Sequence, residues 1–534
     1  MTEYDVVIVG AGPNGETLAA YLSRAGAKVL ILERRDEMGG GLATQDYGGF
    51  RFNLHATYMM MGELMPPVDD LFLAQYGVNF IRPEVQASLF YAPNRAFTLY
   101  LDPKKSEASV AALAGAPEAA KFSRFYHDVE EANLKCLLPT TYRPPMAPVE
   151  LATLLSSSEI GQNVLEWSEQ SPLEMLDHYE IRDDRLRALL LYLGCKWGIE
   201  PDLPGIGYMF AIYVYRMLNA ALVGGGTHRL NSGIMRSAYE SGVSVQENCE
   251  VTKILLEDGR AVGVRSADGE EFRAKAIVST LPPQQTFLEM LGEEHLDPLL
   301  VETLRAWELD EWSLFMTHLG TRQRPRYKAA ATDPHCDDAL TQAFGYASSA
   351  EVIDHWKKAM SKTLPGAGGT ATITSLFDPT QAPRDGVTVR LESEVPYEFA
   401  GGNWESKKRS FGDQLVARWV EYLANPEEIR IIKRFDYPPT YIEAKLPSMI
   451  RGSIKHGAYL PTQMGYFRPN TELSNYATPI PGLYTAGAST YPGGMITLGP
   501  GYNAATRIAQ DLGLTVWWKT PKYVQEGIDL GLVP

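Results

Sequence analysis

The chain has 534 residues, 45% of them hydrophobic and 21% charged, and 65 acidic against 49 basic side chains give a formal charge of -16. That length supplies a large core in roughly two or three domains and excludes a disulfide-stapled miniprotein. The acidic balance excludes nucleic-acid binding by diffuse phosphate attraction, so no nucleic-acid partner is expected. Cys136, Cys195, Cys249 and Cys336 stand far apart, with no CxxC pair or Cys/His ligand spacing. Buried thiols in a reducing compartment are expected, and no metal site.

The N-terminus runs directly into Val6-Val7-Ile8-Val9 with Glu3 and Asp5 ahead of it, unlike a signal peptide, so a cytoplasmic location is expected. Residues 4–9 read as a buried parallel strand. Gly10-Ala11-Gly12-Pro13-Asn14-Gly15 follows, then a helix over 16–26 with Leu18, Ala19 and Leu22 at helical spacing. A second strand over 28–32 ends at Glu33. This is a complete βαβ unit of about thirty residues, the context a GxGxxG motif needs. Gly10 permits the tight turn, Gly12 lets the backbone approach a pyrophosphate, and Gly15 allows close helix–strand packing. Ala11, Pro13 and Asn14 complete the predicted binding turn, and the helix N-terminus offers N–H donors to phosphate. Glu33 lies about twenty residues further on, where a carboxylate accepts from ribose hydroxyls and disfavours a 2′-phosphate.

A second glycine cluster, Gly39-Gly40-Gly41, comes after Glu33-Arg34, and Gly49-Phe50-Arg51-Phe52-Asn53 follows it. In these residues the chain resembles the FAD-containing amine oxidase and phytoene desaturase superfamily. The resemblance implies FAD, with Arg34, Gly40, Gly41 and Leu42 along the cofactor. Two positions depart from the family pattern: Gly41 replaces the usual Arg, and Asn53 the usual Asp. His55 stands where the family often has Gly, close to the expected flavin ring.

Residues 57–223 mix helical stretches (118–137, 171–192) with strands (86–91, 96–101) and a Pro-rich loop over 139–148. The apolar span 206–223 carries Arg216 and Asn219 and reads as a buried helix rather than a membrane span. Its Tyr208, Phe210, Tyr213 and Tyr215 are expected to pack against the core.

Gly224-Gly225-Gly226 opens the next block, with a helix through Leu230, Ile234, Met235 and Ala238. Strand-like stretches 243–251 and 254–256 lead into hairpin turns at Asp258-Gly259 and Asp268-Gly269, and 275–280 reads as another strand. The resemblance makes this a returning flavin segment, with the Val251 backbone at the adenine. Residues 284–470 follow, with a strand expected over 370–376.

The last block runs from a strand within 481–489 through Tyr491-Pro492-Gly493-Gly494 to Gly501, then a helix through Arg507, Ile508 and Leu512. Small residues and a helix N-terminus let backbone amides reach a flavin edge where negative charge develops. Leu483, Tyr484, Gly487, Pro492, Gly493 and Gly501 match the superfamily's closing motif, which implies Gly487, Ala488, Met495 and Thr497 at the cofactor.

These blocks predict an α/β fold. A Rossmann-like FAD-binding domain is assembled from 1–56, 224–283 and 471–534, and an α+β substrate-binding domain is inserted as 57–223 and 284–470. The pattern is most similar to the phytoene desaturase and retinol saturase branch, which implies desaturation or dehydrogenation of a C–C bond in a hydrophobic isoprenoid or alicyclic substrate. No residue corresponds to the flavin-linking cysteine of monoamine oxidases near 487–501, so the FAD is expected to be non-covalent. His55 and Tyr491 are the candidate catalytic residues because they flank the two flavin-facing loops; Tyr58 and Thr490 come second. Amine oxidation and a non-catalytic flavin-fold subunit are the alternative readings. The electron acceptor is open among oxygen, a quinone and another flavoprotein, and peripheral membrane contact is a further open class.

Overall fold

Val6, Val7, Ile8 and Val9 are all buried, so the first strand, Glu3–Val9, is covered on both faces as a central parallel strand must be. A computed structural model describes residues 3–534. In it this strand lies between Val29–Leu32 and Glu271–Ser279, parallel to both. Ser244–Gln246 extends the sheet beyond Val29–Leu32. The long strand Glu271–Ser279 divides its other edge. Its first residues pair antiparallel with Arg260–Ser266, whereas Ile277, Val278 and Ser279 pair parallel with Leu483–Thr485. Strands from three distant stretches of chain therefore build one seven-stranded sheet.

The expected DG turns are present. Asp258 and Gly259 both have positive φ, 49° and 76°, the conformation a tight hairpin requires. Helix Pro13–Arg24 packs on Gly499–Asp511, and Gly501 makes that crossing possible: a Cβ there would stand 2.2 Å from the Asn14 carbonyl oxygen. The C-terminal block is thus brought against the N-terminal glycine turn.

The second seven-stranded sheet has the order Arg430–Tyr437, Trp312–Arg322, Gly386–Pro396, Gly369–Thr372, Thr341–Phe344, Val85–Ala92, Arg95–Tyr100. It is antiparallel except where Thr341–Phe344 runs parallel to Val85–Ala92. Helices Asp184–Cys195 and Ser349–Met360 pack beside it.

Four sequence expectations are corrected. The span 206–223 is a helix only over Gly207–Met217, and Ala220–Val223 is a strand pairing with Met59–Met60 and Phe80–Ile81. The break is stabilised by the buried Gln86, whose Oε1 accepts from the Ala220 N–H. The strand foreseen over 370–376 ends at Thr372 and continues as a 3-10 turn, Thr374–Leu376. The stretch 171–192 divides into Pro172–His178 and Asp184–Cys195, the second opened by Asp183, whose carboxylate accepts from the N–H groups of Arg185 and Leu186. The helix expected over 118–137 is α-helical over Ala116–Ala132 and gives way to a π-helical turn over Asn133–Leu137. No helix among the described residues is long and apolar enough to cross a membrane.

Candidate active site

The glycine turn forms one wall of a cleft, and each glycine does a different task. Gly10 has φ +101°, and a Cβ there would lie 2.4 Å from Thr280 Oγ1. At Gly15 a Cβ would lie 2.4 Å from the Gly10 carbonyl oxygen. At Gly12 a Cβ meets nothing within 4 Å, so the backbone here borders open space. Gly12 also N-caps helix Pro13–Arg24 without a side-chain cap, which leaves the first-turn N–H groups for an anion in the cleft.

Glu33 is 8% exposed and ties the turn to the second strand. Its Oε2 accepts from the Ala11 N–H and its Oε1 from the Arg35 N–H, both at 2.9 Å. A carboxylate oxygen has a second lone pair, so both can still accept from a ribose. Of the predicted cofactor residues, Gly10, Gly12, Pro13, Asn14, Glu33, Arg34, Gly40, Gly41, Val251, Ala488, Met495 and Thr497 line this cleft. Ala11, Leu42, Gly15 and Gly487 stand behind it. Ala11 and Leu42 are buried, and a Cβ at Gly487 would sit 2.2 Å from the Thr280 carbonyl oxygen, so these positions serve close packing. The residues present fit a dinucleotide: open space beside Gly12, an uncapped helix N-terminus, and a carboxylate with acceptor capacity left.

Sequence reasoning missed the support of the C-terminal loop. Arg468 is wholly buried and donates from Nη2 to the carbonyls of Ala488 (2.9 Å) and Lys455 (2.8 Å).

A second cavity shares Gly41, Met449, Ile454, Met495 and Ile496 with the cleft, so the two adjoin along these residues. Its wall is largely apolar, with Leu314, Met316 and Ile442, and its polar members are His55, Thr57, Tyr58, Trp197, Thr372, Arg390 and Glu392. Tyr58 packs edge-on to Trp197 at 6.2 Å between centroids. Of the four catalytic candidates, the structure brings His55 and Tyr58 together here. The other two lie elsewhere. The Tyr491 hydroxyl donates to the Thr140 carbonyl (3.0 Å), and the Thr490 hydroxyl donates to the Gly487 carbonyl (2.7 Å), closing its own turn. Neither borders this cavity or the cleft.

The charged residues at the cavity wall form a buried network. Arg390 donates from Nη1 to the carbonyls of Asn53 (3.0 Å) and His55 (2.7 Å) and to Thr57 Oγ1 (2.6 Å), and its Nη2 pairs with Glu392. Lys196 Nζ donates to Glu392 Oε1 at 2.8 Å. Burial opposes ionisation of Glu392, but Arg390 and Lys196 outweigh it and hold the carboxyl down at about 2. Glu394, two residues on, is pushed up to about 7 by burial. Burial and then the Arg390 cation push the His55 imidazole down to about 3, so it is neutral at physiological pH. Burial raises the Tyr58 phenol, which stays protonated. Arg390, Glu392 and Glu394 alternate along Gly386–Pro396 and so share one face of a strand, a spacing that in sequence alone reads as a solvated face.

Comparison with known proteins agrees with this architecture. Residues 8–73 match the model of an NAD(P)-binding Rossmann-like domain. The chain is 44% identical over 542 residues to one subunit of the limonene dehydrogenase of Castellaniella defragrans, covering 99% of this chain and 98% of that one. The chain belongs to the phytoene desaturase-like branch of the FAD-dependent amine oxidase superfamily. It is 23% identical to the neurosporene-forming phytoene desaturase of Rhodobacter capsulatus, over 91% of this chain and 90% of the other. A triple mutant of putrescine oxidase shares the fold, with a TM-score of 0.63 at 14% identity, over 96% of this chain and 99% of that one. As a member of this branch the protein is an FAD-type oxidoreductase with a flavin cofactor.

Proposed function

We propose that the protein dehydrogenates a C–C bond of a compact isoprenoid or alicyclic substrate held in the cavity of His55, Tyr58 and Trp197. The observation that carries this reading is the shared wall: the apolar cavity adjoins the cofactor cleft through Gly41, Met449, Ile454, Met495 and Ile496. The name of the similar limonene dehydrogenase chain supports a small terpenoid hydrocarbon skeleton as the substrate class and a second polypeptide as a partner. The division of the chain into the domain segments given above is part of the same proposal.

Non-covalent FAD would be held by Gly10, Gly12, Pro13, Asn14, Glu33, Arg34, Gly40, Gly41, Val251, Ala488, Met495 and Thr497. The one cysteine along the cleft, Cys249, lies on the Glu33 side, where its N–H donates to the Glu33 carbonyl. When bound, the flavin supplies a two-electron acceptor for hydride. The protein's own residues do the rest. Leu314, Met316 and Ile442 exclude water and hold the skeleton by apolar contact. Loss of hydride from one carbon is accompanied by loss of a proton from its neighbour; the neutral His55 imidazole, whose ring nitrogens have no partner in the protein, accepts that proton, and Tyr58 shapes the site around the reacting carbons. Arg390 fixes the 53–57 segment that carries His55 through three hydrogen bonds. The two cations outweigh the ionised Glu392 and a partly ionised Glu394, which disfavours a cationic amine at this wall.

Single-turnover product analysis tests the reading. A terpenoid or alicyclic substrate is expected to return about two mass units lighter, as a new alkene. Release of ammonia or an aldehyde from an amine would overturn it.

A further inference from the structure

The cavity is largely apolar, and two of its polar side chains have no hydrogen-bond partner. Trp197 is 8% exposed and lines the cavity, and its indole N–H has no hydrogen-bond partner in the protein. Both ring nitrogens of His55, on the same wall, are likewise enclosed and unpartnered. A neutral imidazole carries one donor and one acceptor, and an indole is a donor only, so among these unpartnered groups donors outnumber acceptors two to one.

The indole is held rigidly. Lys455, paired with buried Asp310 at 2.6 Å, donates to the Trp197 carbonyl at 2.9 Å. The Lys196 ammonium lies 4.8 Å from the centroid of the indole ring, and Tyr58 abuts it edge-on. Arg390 and Glu392 stand on the wall with Lys196 behind them, and the two cations outweigh the ionised Glu392 and a Glu394 carboxyl that burial pushes up to about 7. A fixed donor with surplus positive charge behind it favours an electron-rich oxygen. A pure hydrocarbon would leave the Trp197 N–H and both His55 ring nitrogens unpaired, whereas most buried polar groups find partners.

We propose that the natural substrate carries a carbonyl oxygen on its apolar skeleton, and that this oxygen accepts a hydrogen bond from the Trp197 indole at the His55 side of the cavity. This deepens the proposed function and rests on its assignment of the cavity to substrate.

The test is calorimetric titration of the purified flavin-loaded protein with limonene and with carvone, two molecules of one skeleton that differ by a ring carbonyl. Carvone is expected to bind about tenfold more tightly, about 1.4 kcal/mol. In Trp197→Phe the ratio is expected to fall to within about twofold. Equal affinities in the unaltered protein, or tighter binding of limonene, overturn the proposal while leaving the cavity's assignment standing. A carvone preference that survives Trp197→Phe overturns the role of the indole. Failure of both ligands to bind overturns the cavity as a substrate site, and this inference with it.

Discussion

Lys196 and Glu392 meet at 2.8 Å at the wall of the apolar cavity beside the glycine cleft, and both side chains are nearly inaccessible to water. Glu392 is therefore shared between two cations, Lys196 on the end of one helix and Arg390 on its own strand. Removing one partner of a buried pair leaves an uncompensated charge, which costs far more than the pair itself contributes. Lys196→Met is expected to lower unfolding stability by about 3 kcal/mol in urea denaturation. A loss under about 1 kcal/mol would show that Arg390 alone suffices.

Glu394 and Glu392 make opposite contributions to the pH dependence of stability. The Glu394 carboxyl rises from 4.5 to about 7 on folding, so the folded state binds the extra proton between those values. Its contribution is fully present below 4.5 and is lost as pH rises through about 7. Glu392 falls from 4.5 to about 2, so its contribution is present above 4.5 and lost as pH falls toward 2. Glu394→Gln is expected to flatten the decline of stability between pH 4.5 and 7. Thermal denaturation across that window reads the change directly, and an unaltered slope would place the titration elsewhere.

Gly12 and Gly15 are expected to fail differently. Gly12→Val projects into open cleft, so the protein should keep its fold while its flavin content drops sharply. Gly15→Ala puts a Cβ 2.4 Å from a backbone oxygen and should cost about 1–3 kcal/mol whether or not flavin is present. Melting temperature and flavin absorbance measured together separate the two. Normal flavin content in Gly12→Val would remove Gly12 from the binding surface.

Tyr491 and His55 should part company in kinetics. Tyr491→Phe loses one hydrogen bond to the Thr140 carbonyl, about 1 kcal/mol of stability, with turnover within about twofold. His55→Ala should retain flavin and lose at least about tenfold in turnover, as a residue on the cavity wall. The reverse pattern would return the catalytic role to Tyr491.

The sequence made some of this legible and hid the rest for physical reasons. Gly10, Gly12 and Gly15 could be read because a βαβ turn constrains each one separately, and the structure gives them three different environments. The two DG hairpins were legible for the same local reason. Arg390, Glu392 and Glu394 were not. Alternating charges along a strand ordinarily mark a solvated face, yet Gly386–Pro396 lies between two other strands and is buried along almost its whole length. Trp197 carries no local signal; its place in the cavity comes from tertiary contacts with Tyr58 and Lys455. Tyr491 follows a recognisable motif, but spacing alone does not say which way its ring turns, and it turns to Thr140.

If the cavity beside the cofactor cleft takes an apolar alicyclic or isoprenoid substrate, that substrate must pass its electrons to flavin. Anaerobic titration of the purified protein, followed at the oxidised-flavin band near about 450 nm, tests this most directly. Bleaching by terpenoids or cyclic ketones is expected, and none by amines. Bleaching by amines alone, or a protein purified without any flavin band, would contradict it.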